Sequence, residues 1–100
     1  MKPSASRAKT FVIVAYDISD DKRRTKLHRR LKRFGLGVQY SVFECLLSPT
    51  QLAAMKKTIK QSINTQKGDR VRYFFLCEAC RKRIEATDRI ARQDDPAVFV

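Results

Sequence analysis

The chain has 100 residues, of which 43% are hydrophobic and 32% charged, and its formal net charge at pH 7 is +12. This length and apolar content predict one small globular domain and exclude a disordered chain. The excess of positive charge indicates a polyanionic partner, with nucleic acid first and an anionic membrane surface second.

No apolar run in the sequence approaches the ~20 residues that a membrane span needs, so we predict a chain that does not enter a membrane. Residues 1–10 are basic and lack the apolar core of a signal peptide. We predict a flexible tail there, followed by a single domain over residues 11–100. Three cysteines, an odd number, without an export signal predict reduced thiols and a cytoplasmic location.

One carboxylate follows the first predicted strand and precedes the first predicted helix. Residues 11–16 are apolar at nearly every position, which predicts a strand buried on both faces within a sheet. Asp17 follows directly, where a buried strand reaches the surface, and this is a common place for a functional side chain. A helix is predicted from Asp20, with Ser19 or Asp20 as its N-cap and Gly35 as its C-cap.

This predicted helix is basic around most of its circumference. Its apolar residues form a narrow stripe that we expect to face the sheet: Leu27, Leu31 and Phe34. No acidic residue lies between Lys22 and Arg33, so we predict phosphate binding rather than an ordinary solvated face. Arg24 falls on the buried stripe and is expected to point toward the loop that holds Asp17. The candidate nucleic-acid-binding residues are Lys22, Arg23, Arg24, Lys26, Arg30 and Arg81.

The rest of the chain alternates strand and helix signals. Residues 37–47 are rich in β-branched and aromatic side chains and predict one strand, because no Gly, Asn or Asp marks a hairpin turn near the centre. Ser48 begins a second helix, with Pro49 at its first position and Gln51 completing a capping box. The remaining predicted elements are a turn at 67–69, a strand at 71–77, a basic loop or single helical turn at 79–83, an edge strand at 84–86 and a terminal strand at 97–100.

The predicted strands after the first helix carry bulky apolar residues on both faces, as Phe74 and Phe75 do within residues 71–77. Two helices can cover only one face of the sheet. We therefore expect a second copy of the chain to cover the other face, sheet against sheet.

Asp17 has two interpretations. A single Asp after a strand is commonly a cap or turn residue, although Asp20 and Asp21 already fill that role here. Alternatively, a two-fold axis beside Asp17 would bring two copies together, and the paired carboxylates would hold Mg²⁺ or Mn²⁺ with water and phosphate oxygens. Both interpretations remain open at this level, because the axis is not visible in a sequence.

The other reactive side chains have ordinary structural interpretations. Cys77 and Cys80 form a C-x-x-C pair, but zinc needs two further ligands, and Cys45 and His28 lack the spacing for that role. We interpret the pair as two small residues that close a strand. His28 is expected at the edge of the core rather than as a base. Tyr16 is expected to pack in the core or to stack on a base.

The sequence contains an ordered set of motifs: YDISDDKRR at 16–24, KL at 26–27, Gly35, VQYSVFEC at 38–45, LS at 47–48, DRVRY at 69–73 and LCEAC at 76–80. This set resembles the CRISPR-associated protein 2 family. The resemblance covers nearly everything after Thr10. It implies a ferredoxin-like α+β fold, a βαββαβ sandwich with an additional C-terminal strand, which forms a homodimer through its sheets. For that topology residues 37–47 are two strands with a tight turn near Ser41 and Val42, in conflict with the single strand above.

The resemblance also implies a function. The family works in CRISPR spacer acquisition, where its dimer holds foreign duplex DNA and bridges two dimers of an integrase. Some members are metal-dependent endonucleases of RNA or DNA, and the carboxylate matching Asp17 binds their metal. Tyr16, Arg24, Lys26 and Phe43 match positions of the family's active region.

Two functions are therefore predicted. One is a dimeric DNA scaffold that is also a Mg²⁺- or Mn²⁺-dependent endonuclease through Asp17, and the other is a non-catalytic scaffold alone. The predicted partners are a second copy, the integrase, duplex DNA and, as an alternative substrate, single-stranded RNA.

Overall fold

The computed structural model describes residues 8–87, which form one four-stranded sheet and three α-helices. In chain order the elements are β1 (Thr10–Asp17), α1 (Asp21–Leu31), β2 (Gly35–Gln39), β3 (Val42–Leu47), α2 (Pro49–Ser62), a 3₁₀ turn (Thr65–Lys67), β4 (Arg70–Leu76) and α3 (Glu78–Arg81). β1 begins at Thr10, one residue before the strand predicted from Phe11.

The strand order is β2-β3-β1-β4, and all neighbouring strands are antiparallel. This order and the βαββαβ sequence of elements confirm the predicted ferredoxin-like fold. The predicted strand at 97–100 lies outside the described residues. The predicted edge strand at 84–86 is wrong, because α3 turns the chain across the sheet and these residues line a groove with Val42 and Glu44.

Residues 37–47 form a hairpin, so the single strand predicted from their composition is wrong and the two strands implied by the family are confirmed. The turn lies at Tyr40 and Ser41 and uses no positive φ, which explains why no Gly or Asn marks it. The Ser41 carbonyl accepts a hydrogen bond of 3.0 Å from the Tyr16 backbone N–H. A tertiary contact with β1 therefore holds this turn in place.

Gly35 is the first residue of β2 rather than the predicted C-cap of α1, whose C-cap is Lys32. Its φ is not positive, so conformational freedom does not explain the glycine. A Cβ atom at this position would lie 2.4 Å from the Glu44 carbonyl oxygen and 2.5 Å from Cys45 Sγ. The close approach of β3 therefore requires glycine here.

α1 and α2 pack on one face of the sheet, as their apolar spacing predicted. The core on that side contains Val12, Val14, Tyr16, Leu27, Leu31, Phe43, Cys45, Met55 and Ile59. The predicted capping box at the start of α2 is confirmed, since the Ser48 and Gln51 side chains each accept a backbone N–H of the other residue. Within residues 8–87 no helix combines the length and apolarity needed to cross a membrane.

The opposite face of the sheet, here called the open face, is covered by neither α1 nor α2. By strand alternation and register its members are Phe11, Ile13, Ala15, Asp17, Leu36, Val42, Glu44, Leu46, Arg70, Arg72, Phe74 and Leu76. Phe74 is 46% exposed. α3 borders one end of this face, where Arg81 lines a groove with Phe11 and Leu46. The predicted second apolar face therefore exists, and within residues 8–87 it is only partly covered.

Candidate nucleic-acid interface and carboxylate site

The solvent side of α1 and of the turn that follows it carries four cations in one line, here called the outer stripe. Lys22, Lys26, Arg29 and Arg33 are spaced i, i+4, i+7 and i+11, which places them on one side of a helix with 3.6 residues per turn. All four are exposed, and none forms an ion pair or a side-chain hydrogen bond with another residue in 8–87. Of the predicted nucleic-acid-binding residues, the stripe includes Lys22 and Lys26.

Arg23 faces inward and binds a buried carboxylate. Its Nε donates to Asp69 Oδ2 at 2.7 Å and its Nη2 donates to Asp69 Oδ1 at 3.1 Å, a two-bond arrangement typical of Arg with carboxylate. The Asp69 side chain is 0% exposed, whereas that of Arg23 is 24% exposed. Arg23 therefore joins α1 to the segment before β4, and its predicted phosphate contact competes with this pair.

Asp69 is the residue that the sequence analysis missed, because the motif around it predicted only a turn. Gly68 has φ 91, a left-handed conformation that turns the Asp69 side chain beneath α1. The hydrogen bonds from Arg23 lower the pKa of the Asp69 carboxyl, and the Asn64 backbone N–H, 2.8 Å from Oδ2, lowers it further. Asp69 therefore fixes both α1 and the loop after α2.

Arg30 and Arg24 also have intramolecular partners. Arg30 Nη1 donates to Ser62 Oγ at 2.8 Å and so ties α1 to the end of α2. Arg24 Nη1 donates to the Ile18 carbonyl oxygen at 2.9 Å, and its Nη2 pairs with Asp21. The prediction that Arg24 points toward the loop after Asp17 is confirmed. The sequence analysis assigned both arginines to nucleic acid, but in the structure both contact other residues of the chain.

Arg81 lies in α3, and its guanidinium pairs with Glu78 at 2.8 Å. Its side chain is mostly buried, whereas those of Lys82 and Arg83 beside it are exposed. The exposed charge of this second basic segment therefore comes mainly from the two residues after α3.

Asp17 is exposed at the end of β1, on the open face, and its register partner on β4 is Arg70. Asp20 caps α1 by accepting the Arg23 backbone N–H at 2.9 Å, and Asp21 pairs with Arg24, so both neighbouring carboxylates are engaged. Residues 8–87 of one chain contain no group of three potential metal ligands. Of the three carboxylates in residues 17–21, Asp17 is therefore the one without an intramolecular partner in the described part of the chain.

Tyr16 and Phe43 lie on the helix side of the sheet, away from Asp17. Phe43 is fully buried and Tyr16 is 5% exposed, so neither stacks on a base, and the packing interpretation of Tyr16 is confirmed. The Tyr16 hydroxyl shares a hydrogen bond of 3.1 Å with His28 Nδ1, and burial raises the pKa of Tyr16. His28 packs edge-on against Phe43 at the rim of the core, as predicted.

Known proteins share both the sequence and the fold. Residues 10–84 match the family model described as CRISPR associated protein Cas2. The chain belongs to the Cas2 family. It is 39% identical over 75 residues to "CRISPR-associated endoribonuclease Cas2 1" of Chloroflexus aurantiacus, a match that covers 75% of this chain and 81% of that relative.

Two solved structures extend the likeness. Streptococcus pyogenes Cas2 at pH 6.5 has a TM-score of 0.67 and 30% identity, covering 76% of this chain and 96% of that one. A chain of a partial Cas6-RT-Cas1–Cas2 complex has a TM-score of 0.65 and 28% identity, covering 77% of this chain and 89% of that one. The family and the fold are thus shown by sequence and structure independently.

Proposed function

We propose that this Cas2-family protein is a homodimeric DNA-binding scaffold of CRISPR spacer acquisition. The observation that carries the proposal is the outer stripe of α1, four exposed cations without an intramolecular partner in residues 8–87. The line spans twelve residues, from Lys22 to Arg33 in the turn after α1, and at the helical rise it is about 16 Å long, enough to follow several phosphates of one strand. Such contacts read charge rather than bases, which suits a scaffold that accepts foreign DNA of any sequence.

The homodimer proposal rests on the open face. Ile13, Leu46 and Phe74 present apolar side chains on it, although α1 and α2 lie on the other side of the sheet. A second copy packed face to face would remove this surface from water, with a gain of about 25 cal/mol for each Å² of apolar area. Since Asp17 belongs to the same face, a two-fold axis that passes beside it would also bring two Asp17 carboxylates toward one another.

A metal-dependent endonuclease activity through Asp17 is the second part of the proposal. At this site the described residues of one chain supply only the Asp17 carboxylate, so we expect the site to be complete only with a second copy. Mg²⁺ typically binds one or two protein carboxylates together with waters and substrate phosphates, which fits a pair of Asp17 residues, and Mn²⁺ is the alternative ion. A bound ion would polarise a phosphoryl oxygen and lower the pKa of a bound water.

The chain's own residues would orient that site. Arg24 holds the Ile18 carbonyl and so fixes the loop that follows Asp17, and Arg70 lies opposite Asp17 on β4 with its side chain exposed. The endoribonuclease name of the Chloroflexus relative supports hydrolysis of single-stranded RNA. The solved complex that contains Cas1 and Cas2 supports an integrase partner.

Cleavage assays with Asp17→Asn separate the endonuclease from a scaffold alone. Wild type and variant, purified in parallel, are incubated with single-stranded RNA or duplex DNA in Mg²⁺, Mn²⁺ or EDTA. We expect metal-dependent cleavage by wild type only and equal salt-dependent DNA affinity for both proteins, because the outer stripe is unchanged. If both proteins cleave equally, the activity does not come from Asp17. If neither cleaves but both bind DNA, only the scaffold function remains.

Two neighbouring aromatic residues test the dimer. Phe74 is 46% exposed on the open face, and Phe75 is 51% exposed on the helix side, where Lys56 lies over its ring. In sedimentation at tens of micromolar, where an obligate dimer stays assembled, we expect Phe74→Ser to shift the protein toward monomer and Phe75→Ser to leave it dimeric. A monomeric wild type would refute the homodimer.

A further inference from the structure

Cys77 and Cys80 form a pair of accessible thiols that the nucleic-acid interface does not use. Both are exposed, whereas Cys45 is fully buried between α2 and the sheet. Burial raises the pKa of the Cys45 thiol to about 12, so Cys45 is an unreactive reference within the same chain.

The local fold brings the two sulfurs onto one helical turn. Cys77 is the N-cap of α3, and its carbonyl oxygen accepts a hydrogen bond of 2.9 Å from the Arg81 backbone N–H. Residues i and i+3 of such a turn have Cα atoms about 5 Å apart. Disulfides span Cα separations of about 4.4 to 6.8 Å, so the spacing of one helical turn lies within the range that a disulfide can bridge.

Cys80 makes its partner the more acidic thiol. The Cys80 backbone N–H and thiol lower the pKa of Cys77. The same interaction raises the pKa of Cys80. The Cys77 side chain nevertheless makes no capping hydrogen bond to α3. The sequence-based interpretation, two small residues that close a strand, did not include this helical turn.

We propose that Cys77 and Cys80 form a reversible intramolecular disulfide by exchange with low-molecular-weight disulfides such as oxidised glutathione. The Cys77 thiolate attacks one sulfur of the small disulfide, and a mixed disulfide forms as one small thiolate leaves. The Cys80 thiolate then attacks the Cys77 sulfur and releases the second small thiol. Two protein thiols lose two protons and two electrons, and one small disulfide becomes two thiols.

Whole-protein mass spectrometry tests this on the full chain. Reduced protein is equilibrated with glutathione buffers of increasing oxidised fraction, quenched in acid, unfolded and labelled with a maleimide. We expect wild type to pass from three labels to one, with the two labels of Cys77 and Cys80 lost together and no glutathione adduct accumulating. Cys77→Ser and Cys80→Ser should each trap one glutathione adduct, and the double variant should trap none.

The order of reaction tests the role of each thiol. Cys80→Ser, which keeps Cys77, should acquire its adduct faster than Cys77→Ser does, since the backbone N–H of residue 80 still lowers the pKa of the Cys77 thiol. The reverse order would overturn Cys77 as the attacking thiol. Glutathione adducts on wild type without loss of paired labels, disulfides between chains, or three labels in every buffer would each overturn the intramolecular disulfide.

Discussion

Arg29 and Arg30 are neighbours in α1, yet they belong to different parts of the molecule. Arg29 lies on the outer stripe without a partner in residues 8–87, whereas Arg30 donates to Ser62 and ties α1 to α2. The same contrast separates Lys22 from Arg23, which holds buried Asp69. Basic residues of one helix therefore divide into a set available for phosphate and a set that stabilises the fold. Net charge alone does not distinguish the two sets.

Removing the charges of the outer stripe should produce the largest effect, and that effect is on DNA binding. Lys22, Lys26 and Arg29 changed together to Gln should lower the log–log salt slope of duplex DNA binding by about 3 units per copy, at about 0.9 per lost phosphate contact. Near 0.1 M salt, with ~1 M as the reference point at which electrostatic binding vanishes, this corresponds to a loss of affinity of about 500-fold per copy. Fluorescence anisotropy over a salt series measures it.

A matched control removes the same charge elsewhere. Lys57, Lys60 and Lys67 are exposed on α2 and the 3₁₀ turn, and their triple Gln variant should keep most of the wild-type slope. An equal loss in both triple variants would mean that DNA binding depends on total charge and not on the outer stripe.

Changing the contacts of the arginines that stabilise the fold should lower stability rather than DNA binding. Asp69→Asn weakens the pairing with Arg23 inside a buried site, and we expect unfolding free energy to fall by about 2 kcal/mol, as for buried hydrogen bonds to charged groups. Urea denaturation measures this loss. The folded variant should bind DNA with the wild-type salt slope, whereas a steeper slope would show that Arg23, once released from Asp69, contacts phosphate.

Lowering the pH gives a second test of the role of Asp69 in stability, because its pKa differs between the folded and unfolded protein. The pKa of Asp69 is lowered in the folded protein, so its contribution to stability is present above the unfolded pKa of about 3.9. That contribution is lost as the pH falls through the folded-state pKa. The gap in urea midpoint between wild type and Asp69→Asn should therefore be constant near pH 7 and narrow below about pH 4. A gap that stays constant into acid would contradict the role of the Asp69 charge.

The smallest expected effect is on stability, and it comes from changing Arg30 or its neighbour Arg29 alone. Arg30→Gln should lower unfolding free energy by about 1 kcal/mol through the lost bond to Ser62. Arg29→Gln should leave it within about 0.5 kcal/mol and reduce the DNA salt slope instead. Identical stability profiles for the two variants would show that the Ser62 contact contributes nothing.

Much of the fold was predictable because its signals are local. Asp20 caps α1 and Ser48 with Gln51 caps α2, and both were read from residues within one helical turn. The buried stripe of Leu27 and Leu31 followed from helical periodicity. The exposure of Lys22 and Lys26 and the direction of Arg24 followed from the same periodicity, so part of the candidate interface was already determined by the sequence.

Only the tertiary structure decided the rest, because those features depend on contacts between distant segments. The hairpin turn at Tyr40 has no local signal and is held through Ser41 by β1, and Gly35 is required by the approach of β3. Asp69 lies 46 residues after Arg23, and their pairing is set by how α1 crosses the loop before β4. The sequence by itself determined that α1 is a basic helix over an apolar core. Tertiary packing decided which of its cations remain free, since a buried carboxylate or hydroxyl binds whichever arginine faces it.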